Sequence, residues 1–319
     1  MKKDLLAPLS KKAIAHKLVE RKFEDLELIN LIEKFFRQKR GYVFKMPKPN
    51  TPVILLLSGG IDSIILWAVL MKKYRLIVYP VVFLRKRTFP VSAVVSSVNY
   101  YSKIYQKKYA SYFKSPQFFG SPIAQQSLRK STTSLKTVHS NYFLKNIRED
   151  ELISVEITGL MAQYAFAAHN YSEFLLAKLG LKINTIFCAV TPTDGFFVKS
   201  QTLSSLRTAL LDLCINAQDF SLQFTSPAIE KELGFFHDKI NFMKWADKNG
   251  ISLNRTHSCT NSALIHCGKC IMCYSRKDMF VKAGIKDHTF YKNSFTGKII
   301  QAITYRLTKL KKYSSINRR

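Results

Sequence analysis

Acidic residues are scarce in this 319-residue chain: 21 Asp and Glu stand against 50 Lys and Arg, a formal net charge of +29. None lies between Asp62 and Glu149, and none follows Asp287. Such a field draws polyanions such as ATP, nucleic acid or an acidic protein, although solvated lysines in a Lys-rich composition give the same count. Long apolar runs are missing too. The longest, such as 53–57 and 77–84, are far too short to cross a bilayer, so no membrane partner is expected. The start, Met1-Lys2-Lys3-Asp4, leads into charge-rich sequence without the apolar core of a secretion signal, and the expected location is the cytoplasm. Repeats are absent. Wholesale disorder is excluded by 47% hydrophobic and 13% aromatic residues.

What is present alternates in the manner of an α/β domain. Residues 9–40 carry Ile14, Leu18, Phe23, Leu26, Leu28, Ile29, Leu31, Ile32 and Phe35 among charges, which predicts a helical extension over 1–50. Pro47, Pro49 and Pro52 punctuate a linker. Strand 53–57, helix 63–73 and strand 75–83 then open a doubly wound, mostly parallel sheet. Further elements are expected as helix 92–109, a long basic loop over 110–140, helix 159–179, strand 185–190, helix 202–215, strand 222–224 and helix 239–248. The nucleotide domain is therefore placed at 51–250. A cysteine region at 251–290, with a short helix at 275–283, and a basic tail at 291–319 follow it.

The segment Leu55-Leu56-Leu57-Ser58-Gly59-Gly60-Ile61-Asp62-Ser63 ends a strand, turns on two glycines and starts a helix. Glycines let the backbone approach an anion, and free N–H groups with the positive end of the helix face the same point, a site for pyrophosphate. Ser58 and Ser63 add hydroxyls, and Asp62 is placed to hold Mg²⁺ or cap the helix. The Gly-Lys-Ser/Thr ending of a Walker loop is absent. These residues resemble the PP-loop (ATP pyrophosphatase) superfamily, with its Ser-Gly-Gly-x-Asp-Ser signature; the resemblance implies an adenine nucleotide alpha hydrolase-like fold and ATP cleavage between the α and β phosphates. An accidental Gly-Gly turn is the bland alternative.

Of six cysteines, four cluster as Cys259, Cys267, Cys270 and Cys273. In a reducing compartment that spacing predicts a metal rather than disulfides. Four thiolates suit tetrahedral structural Zn²⁺, with an Fe–S cluster or free buried thiols as rivals. His257 and His266 are expected to lie beside the ligands or at the surface, and Cys188 and Cys214, in apolar runs, in the core.

The phosphate loop taken with Ser258-Cys259, Cys267-Gly268-Lys269-Cys270-Ile271-Met272-Cys273, Arg276 and Ala283-Gly284-Ile285 resembles the 7-cyano-7-deazaguanine synthase (QueC-like) family, in register over roughly 52–288. The resemblance implies a ligase of queuosine biosynthesis that uses ATP, Mg²⁺ and Zn²⁺ on 7-carboxy-7-deazaguanine. The carboxylate is adenylated, ammonia displaces AMP, and a second ATP drives dehydration to the nitrile. By the same resemblance Ser58, Gly59, Gly60, Ile61, Asp62 and Ser63 hold ATP, the four cysteines hold zinc, and a homodimer is expected. Lys239 matches a lysine that reaches the ATP phosphates and joins Asp62 as a catalytic residue, and Asp194 matches an aspartate of the substrate loop. An exposed helix-start lysine and an ordinary turn residue are the plain alternatives for these two.

Two segments depart from the family. Leu84-Arg85-Lys86-Arg87 stands in place of Asp-Tyr-Gly-Gln, and Thr158-Gly159-Leu160-Met161-Ala162 in place of Pro-x-Arg-Asn. The activating half is retained and the acceptor half rebuilt, so a changed substrate is expected. One alternative is a ligase joining the adenylated acid to an amine on a protein or nucleic acid; QueC-like proteins also occur in bacterial anti-phage gene sets, which fits a defence role. A second is a tRNA-modifying PP-loop enzyme, favoured by the net charge. The last is a non-catalytic nucleotide-binding scaffold.

Overall fold

A computed structural model describes residues 5–84, 91–120, 159–196, 198–261 and 265–292. Arg85, Lys86, Arg87, Thr158, the expected loop beyond residue 120 and the tail from 293 lie outside the described residues. Thirteen named elements follow in the order α1 (Lys11–Val19), α2 (Leu26–Arg40), β1 (Pro52–Leu56), α3 (Ile61–Lys72), β2 (Ile77–Leu84), α4 (Val91–Lys108), β3 (Gln117–Gly120), α5 (Leu160–Leu179), β4 (Thr185–Phe187), α6 (Leu203–Ala217), β5 (Gln223–Thr225), α7 (Lys239–Lys248) and α8 (Ile271–Ala283).

The five strands form one parallel sheet in the order β3-β2-β1-β4-β5. Chain order reverses between β1 and β4, so the loops leaving those two strands open a crevice at their carboxyl ends, where doubly wound sheets bind ligands. The apolar Pro-Val-Ile-Leu-Leu run of β1 occupies the centre of this sheet. Helix α3 is apolar on all sides, and Ile64 through Met71 are buried without interruption, as a helix inside the protein requires.

Several boundaries differ from the sequence reading. The helical stretch 9–40 is two helices, because Asp25 caps a new one by accepting from the Leu28 N–H at 2.9 Å. Strand β3 falls inside the expected loop; its four residues are mostly exposed, and only its pairing with β2 makes it a strand. Strand β4 stops at Phe187 instead of 190, and the released chain forms the loop that carries Asp194. Helix α8 starts at Ile271 rather than 275, because the Cys270 carbonyl already accepts from the Cys273 and Tyr274 N–H groups.

The amino-terminal helices share the central core. Leu6, Ile14, Leu18, Ile29, Ile32 and Phe36 belong to the same buried cluster as β1 and α3. A buried ion network fastens them. Arg207 donates to both oxygens of Glu230 at 2.9 and 2.7 Å and to Glu33 of α2 at 3.0 Å. Glu230 also accepts from Thr225 Oγ1 at 2.6 Å. Burial alone would raise the Glu230 carboxyl and lower the Arg207 guanidinium; their mutual attraction reverses both, so the pair stays charged. Among the described residues no helix is long and apolar enough to cross a membrane.

Candidate functional site

The loop between β1 and α3 is shaped by its own short side chains. Ser58 and Ser63 hydroxyls lie 3.0 Å apart, and Ser63 Oγ accepts from the Ser58 N–H at 3.2 Å and donates to the Gly60 carbonyl at 3.2 Å. Gly59 sits at φ +76°, and a Cβ there would stand 3.3 Å from the Val94 carbonyl oxygen, so the second turn residue has to be glycine. The cap position of α3 is Gly60, which supplies no side-chain cap. The first-turn N–H groups of α3 therefore keep their donors for an anion, and the helix dipole adds positive potential at the same point.

Three charged side chains meet beside this turn. Lys239 Nζ, on the first residue of α7, lies 3.0 Å from Asp62 Oδ2 and 2.7 Å from Asp194 Oδ1. The other Asp194 oxygen accepts from Thr191 N and Thr191 Oγ1, both at 2.8 Å. Asp62 Oδ1 is buried and has no hydrogen-bond partner among the described residues. Burial would lower the lysine pKa, but two adjacent carboxylates raise it, so Lys239 is cationic. Burial raises the Asp62 carboxyl, and the neighbouring Asp194 charge adds to that because one lysine serves both acids.

The turn and the triad open onto a cavity of about 360 Å³ at the sheet's switch point. Ser58, Gly60, Ile61, Asp62, Ser63, Asp194 and Lys239 all line it. An apolar wall also lines it, with Phe83, Leu160, Met161, Tyr164, Met272 and Met279. Phe83 and Tyr164 stack at 5.4 Å. Leu160 and Met161 belong to the second departing segment, so that segment helps line the cavity. Cys188 also lines the cavity, yet burial pushes its thiol up to about 12 and leaves it unreactive at neutral pH.

The four cysteines are drawn together, with all Sγ atoms within 4.8 Å of one another. The Cys267–Cys273 and Cys270–Cys259 sulfur pairs are 3.9 Å apart, and the N–H groups of Cys267 and Cys270 donate to Cys259 Sγ and Cys267 Sγ at 3.3 Å. This cluster is fit to hold a metal ion. His257 and His266 are buried next to it. His257 Nε2 donates to the Cys259 carbonyl at 2.7 Å, and His266 Nε2 accepts from the Ser258 N–H at 3.1 Å. Burial keeps both imidazoles neutral.

This cysteine module touches the phosphate turn directly. The Gly59 carbonyl accepts from the His257 N–H at 2.9 Å and from Ser97 Oγ of α4 at 2.8 Å. The fully buried Arg276 holds the module's loops through Leu253 O, Thr256 Oγ1, Ser258 Oγ and Thr289 Oγ1, at 2.7 to 3.1 Å. Arg276 follows the cysteine motif and was legible as such; Ser97, Thr191 and the apolar wall carry no sequence signal.

Residues 211–284 match the family model of queuosine biosynthesis protein QueC. That stretch includes Lys239 and all four cysteines, and the phosphate turn lies outside it. Among solved structures the chain is similar to the U34-tRNA thiolase NcsA from Methanococcus maripaludis with its 4Fe-4S cluster, at 12% identity over 80% of this chain and 72% of that one, with a TM-score of 0.32. No curated protein matches the chain.

Proposed function

We propose that the chain is a QueC-like PP-loop enzyme that uses ATP to adenylate the carboxylate of a planar, deazaguanine-type acid for C–N bond formation, a reading supported by the match of residues 211–284 to the QueC family model. The supporting observation is the meeting of an uncapped helix start, Lys239 and the orphaned Asp62 oxygen in one cavity. A carboxylate is a poor electrophile because oxide leaves badly. The acid's oxygen attacks the α-phosphorus, the α–β bridging oxygen leaves with pyrophosphate, and the acyl adenylate forms. Ammonia then adds to the acyl carbon, AMP departs with the electron pair, and the nitrogen releases one proton to solvent to leave the amide.

The first-turn N–H groups of α3 and the Ser58 and Ser63 hydroxyls bind the departing pyrophosphate and hold it in line. Lys239 balances the charge that builds on the leaving oxygens, while Asp194 and Thr191 orient its ammonium. Asp62 Oδ1 is the atom that would hold Mg²⁺, an oxygen donor that nothing else satisfies. That ion, when bound, neutralises phosphate charge in the transition state. The apolar wall accepts a flat, poorly hydrated ring and excludes water that would hydrolyse the adenylate.

We read the cysteine cluster as a structural zinc site. Bonds of about 2.3 Å in a tetrahedron put sulfurs about 3.8 Å apart, which suits the 3.9 Å pairs. A cubane cluster gives each thiolate its own iron and spreads them further. Four sulfurs leave no open position for catalysis.

The test is incubation with Mg-ATP and 7-carboxy-7-deazaguanine, with and without ammonium, following AMP and product masses. Acid-dependent AMP with the amide or nitrile supports the proposal. AMP or a trapped adenylate without either product moves the acceptor to an amine on a protein or nucleic acid. Absence of AMP with every acid, in wild type and Asp62→Asn alike, overturns the reading.

A further inference from the structure

The amino-terminal segment lies far outside the QueC-matched stretch, yet it reaches both loops that build the charged triad. Its first arm runs along the loop before α7. Leu9 N–H donates to the Gly234 carbonyl at 2.7 Å, and His237 Nε2 donates to the Ala7 carbonyl at 3.0 Å. Gly234, at φ +71°, packs so closely that a Cβ there would stand 2.8 Å from Pro8 Cβ. Lys73 at the end of α3 ties this arm down by donating to the Leu6 carbonyl at 2.8 Å. Two residues after His237 comes Lys239.

The second arm lies between α1 and α2 and holds the loop between β4 and α6. Glu24 accepts from the Leu203 and Ser204 N–H groups at 2.9 Å each and from Ser204 Oγ at 2.8 Å, which fixes the start of α6. The Asp25 N–H donates to Ser204 Oγ at 2.8 Å. Arg21 donates to the Pro192 carbonyl, two residues before Asp194, and its guanidinium lies over the Phe236 ring at 4.9 Å, three residues before Lys239. One side chain thus touches both loops, and between those loops Lys239 and Asp194 meet at 2.7 Å.

We propose that residues 5–25 are a strap that positions the Lys239–Asp194–Asp62 triad, with Arg21 and Glu24 as its positioning residues. The strap acts through backbone carbonyls, N–H groups and a ring face, so it sets where Lys239 stands without touching nucleotide or acid. A lysine displaced by about an ångström loses much of its hold on a developing charge, and misplacements of that size cost up to about a hundredfold in rate.

Deleting the strap would strip Leu6, Ile14 and Leu18 from the shared core, so the test uses point variants of the full chain: Arg21→Ala and Glu24→Gln. Hydrogen exchange followed by mass spectrometry reads each loop without reference to the reaction. Arg21→Ala is expected to speed exchange about tenfold in peptides covering both 191–204 and 234–239, and Glu24→Gln in 191–204 alone. Peptides from 256–291 stay unchanged. The kinetic arm rests on the adenylation reading: AMP formation at saturating Mg-ATP falls about tenfold in Arg21→Ala, and KM for ATP moves less than threefold. Unchanged exchange in both loops overturns the strap, as does a rise across all peptides that simply follows a lower melting temperature. A wild type that makes no AMP defeats the functional reading and leaves the exchange arm to judge the strap.

Discussion

The strap and the cysteine module grip the candidate site from opposite ends of the chain, and they do it with unlike materials. Among the described residues the module hydrogen-bonds the glycine turn through the backbone N–H of His257, and its own shape depends on four sulfurs and one buried arginine. The strap reaches the Asp194 and Lys239 loops through many separate contacts, none involving a metal, and the Arg207 network anchors the second helix of the same region. A hold concentrated in four ligands fails all at once, whereas a hold spread over many contacts fails by degrees. The first holds the glycine turn between β1 and α3, and the second, as proposed, tunes where one charge stands.

The largest effect separates the two ends most sharply. Cys273→Ser removes a thiolate from a buried cluster, and bound structural zinc is worth on the order of 10 kcal/mol in folding free energy. Metal content measured on the purified protein should fall from one zinc per chain to near zero, with 256–291 losing exchange protection while 5–25 keeps it. Retention of a full equivalent of metal with wild-type melting would show that the thiols do not hold it.

Arg207→Ala attacks the other end. It leaves Glu230 in the core without its cation, while Glu33 keeps Lys231 at 2.7 Å, at a cost of about 3–5 kcal/mol, to be read from urea denaturation. The sign with pH follows from Glu230, whose carboxyl is held below its ordinary range by Arg207. Its stabilising contribution is complete above the ordinary glutamate pKa and is lost as pH falls through the depressed one. Wild type should therefore lose stability on acidification over that window, and Arg207→Ala should lose less of it.

Gly59→Ala sits where the module meets the turn. A left-handed alanine costs about 1–2 kcal/mol, and its methyl would crowd the Val94 carbonyl. Mg-ATP affinity by calorimetry should drop about tenfold, with melting lowered only a few degrees. Ser97→Ala is the mildest: one of two donors to the Gly59 carbonyl goes, at about 1 kcal/mol. Its ATP affinity should fall a fewfold, and an effect as large as that of Gly59→Ala would mean that α4, rather than the cysteine module, carries the turn.

The same contrast explains what could be read from the sequence. Ser58 to Ser63 and the four cysteines stand out because their chemistry is local: glycines, hydroxyls and thiolates must lie within a few residues of each other. The alternation of β1, α3 and β2 was legible for the same reason. Lys239 and Asp194 were named only through the family resemblance, and the fold brings Lys239 Nζ to 2.7 Å from Asp194 and 3.0 Å from Asp62. The strap left no such mark. Glu24 meets Leu203 across 179 positions and Arg21 meets Pro192 across 171, and neither type in a charged helical stretch differs from a solvated side chain. Strand β3 was missed because four mostly exposed residues carry no pattern of their own. Ser97 was missed because its hydroxyl acts on a backbone carbonyl 38 residues away.

The central claim is that this cavity splits ATP between its α and β phosphates. Phosphorus NMR of Mg-ATP turnover in the presence of 7-carboxy-7-deazaguanine tests it most directly, with Asp62→Asn run alongside. The account predicts AMP and pyrophosphate in equal amounts from wild type and a loss of about a hundredfold or more in Asp62→Asn. ADP and orthophosphate, or AMP formed equally well by Asp62→Asn, would contradict it.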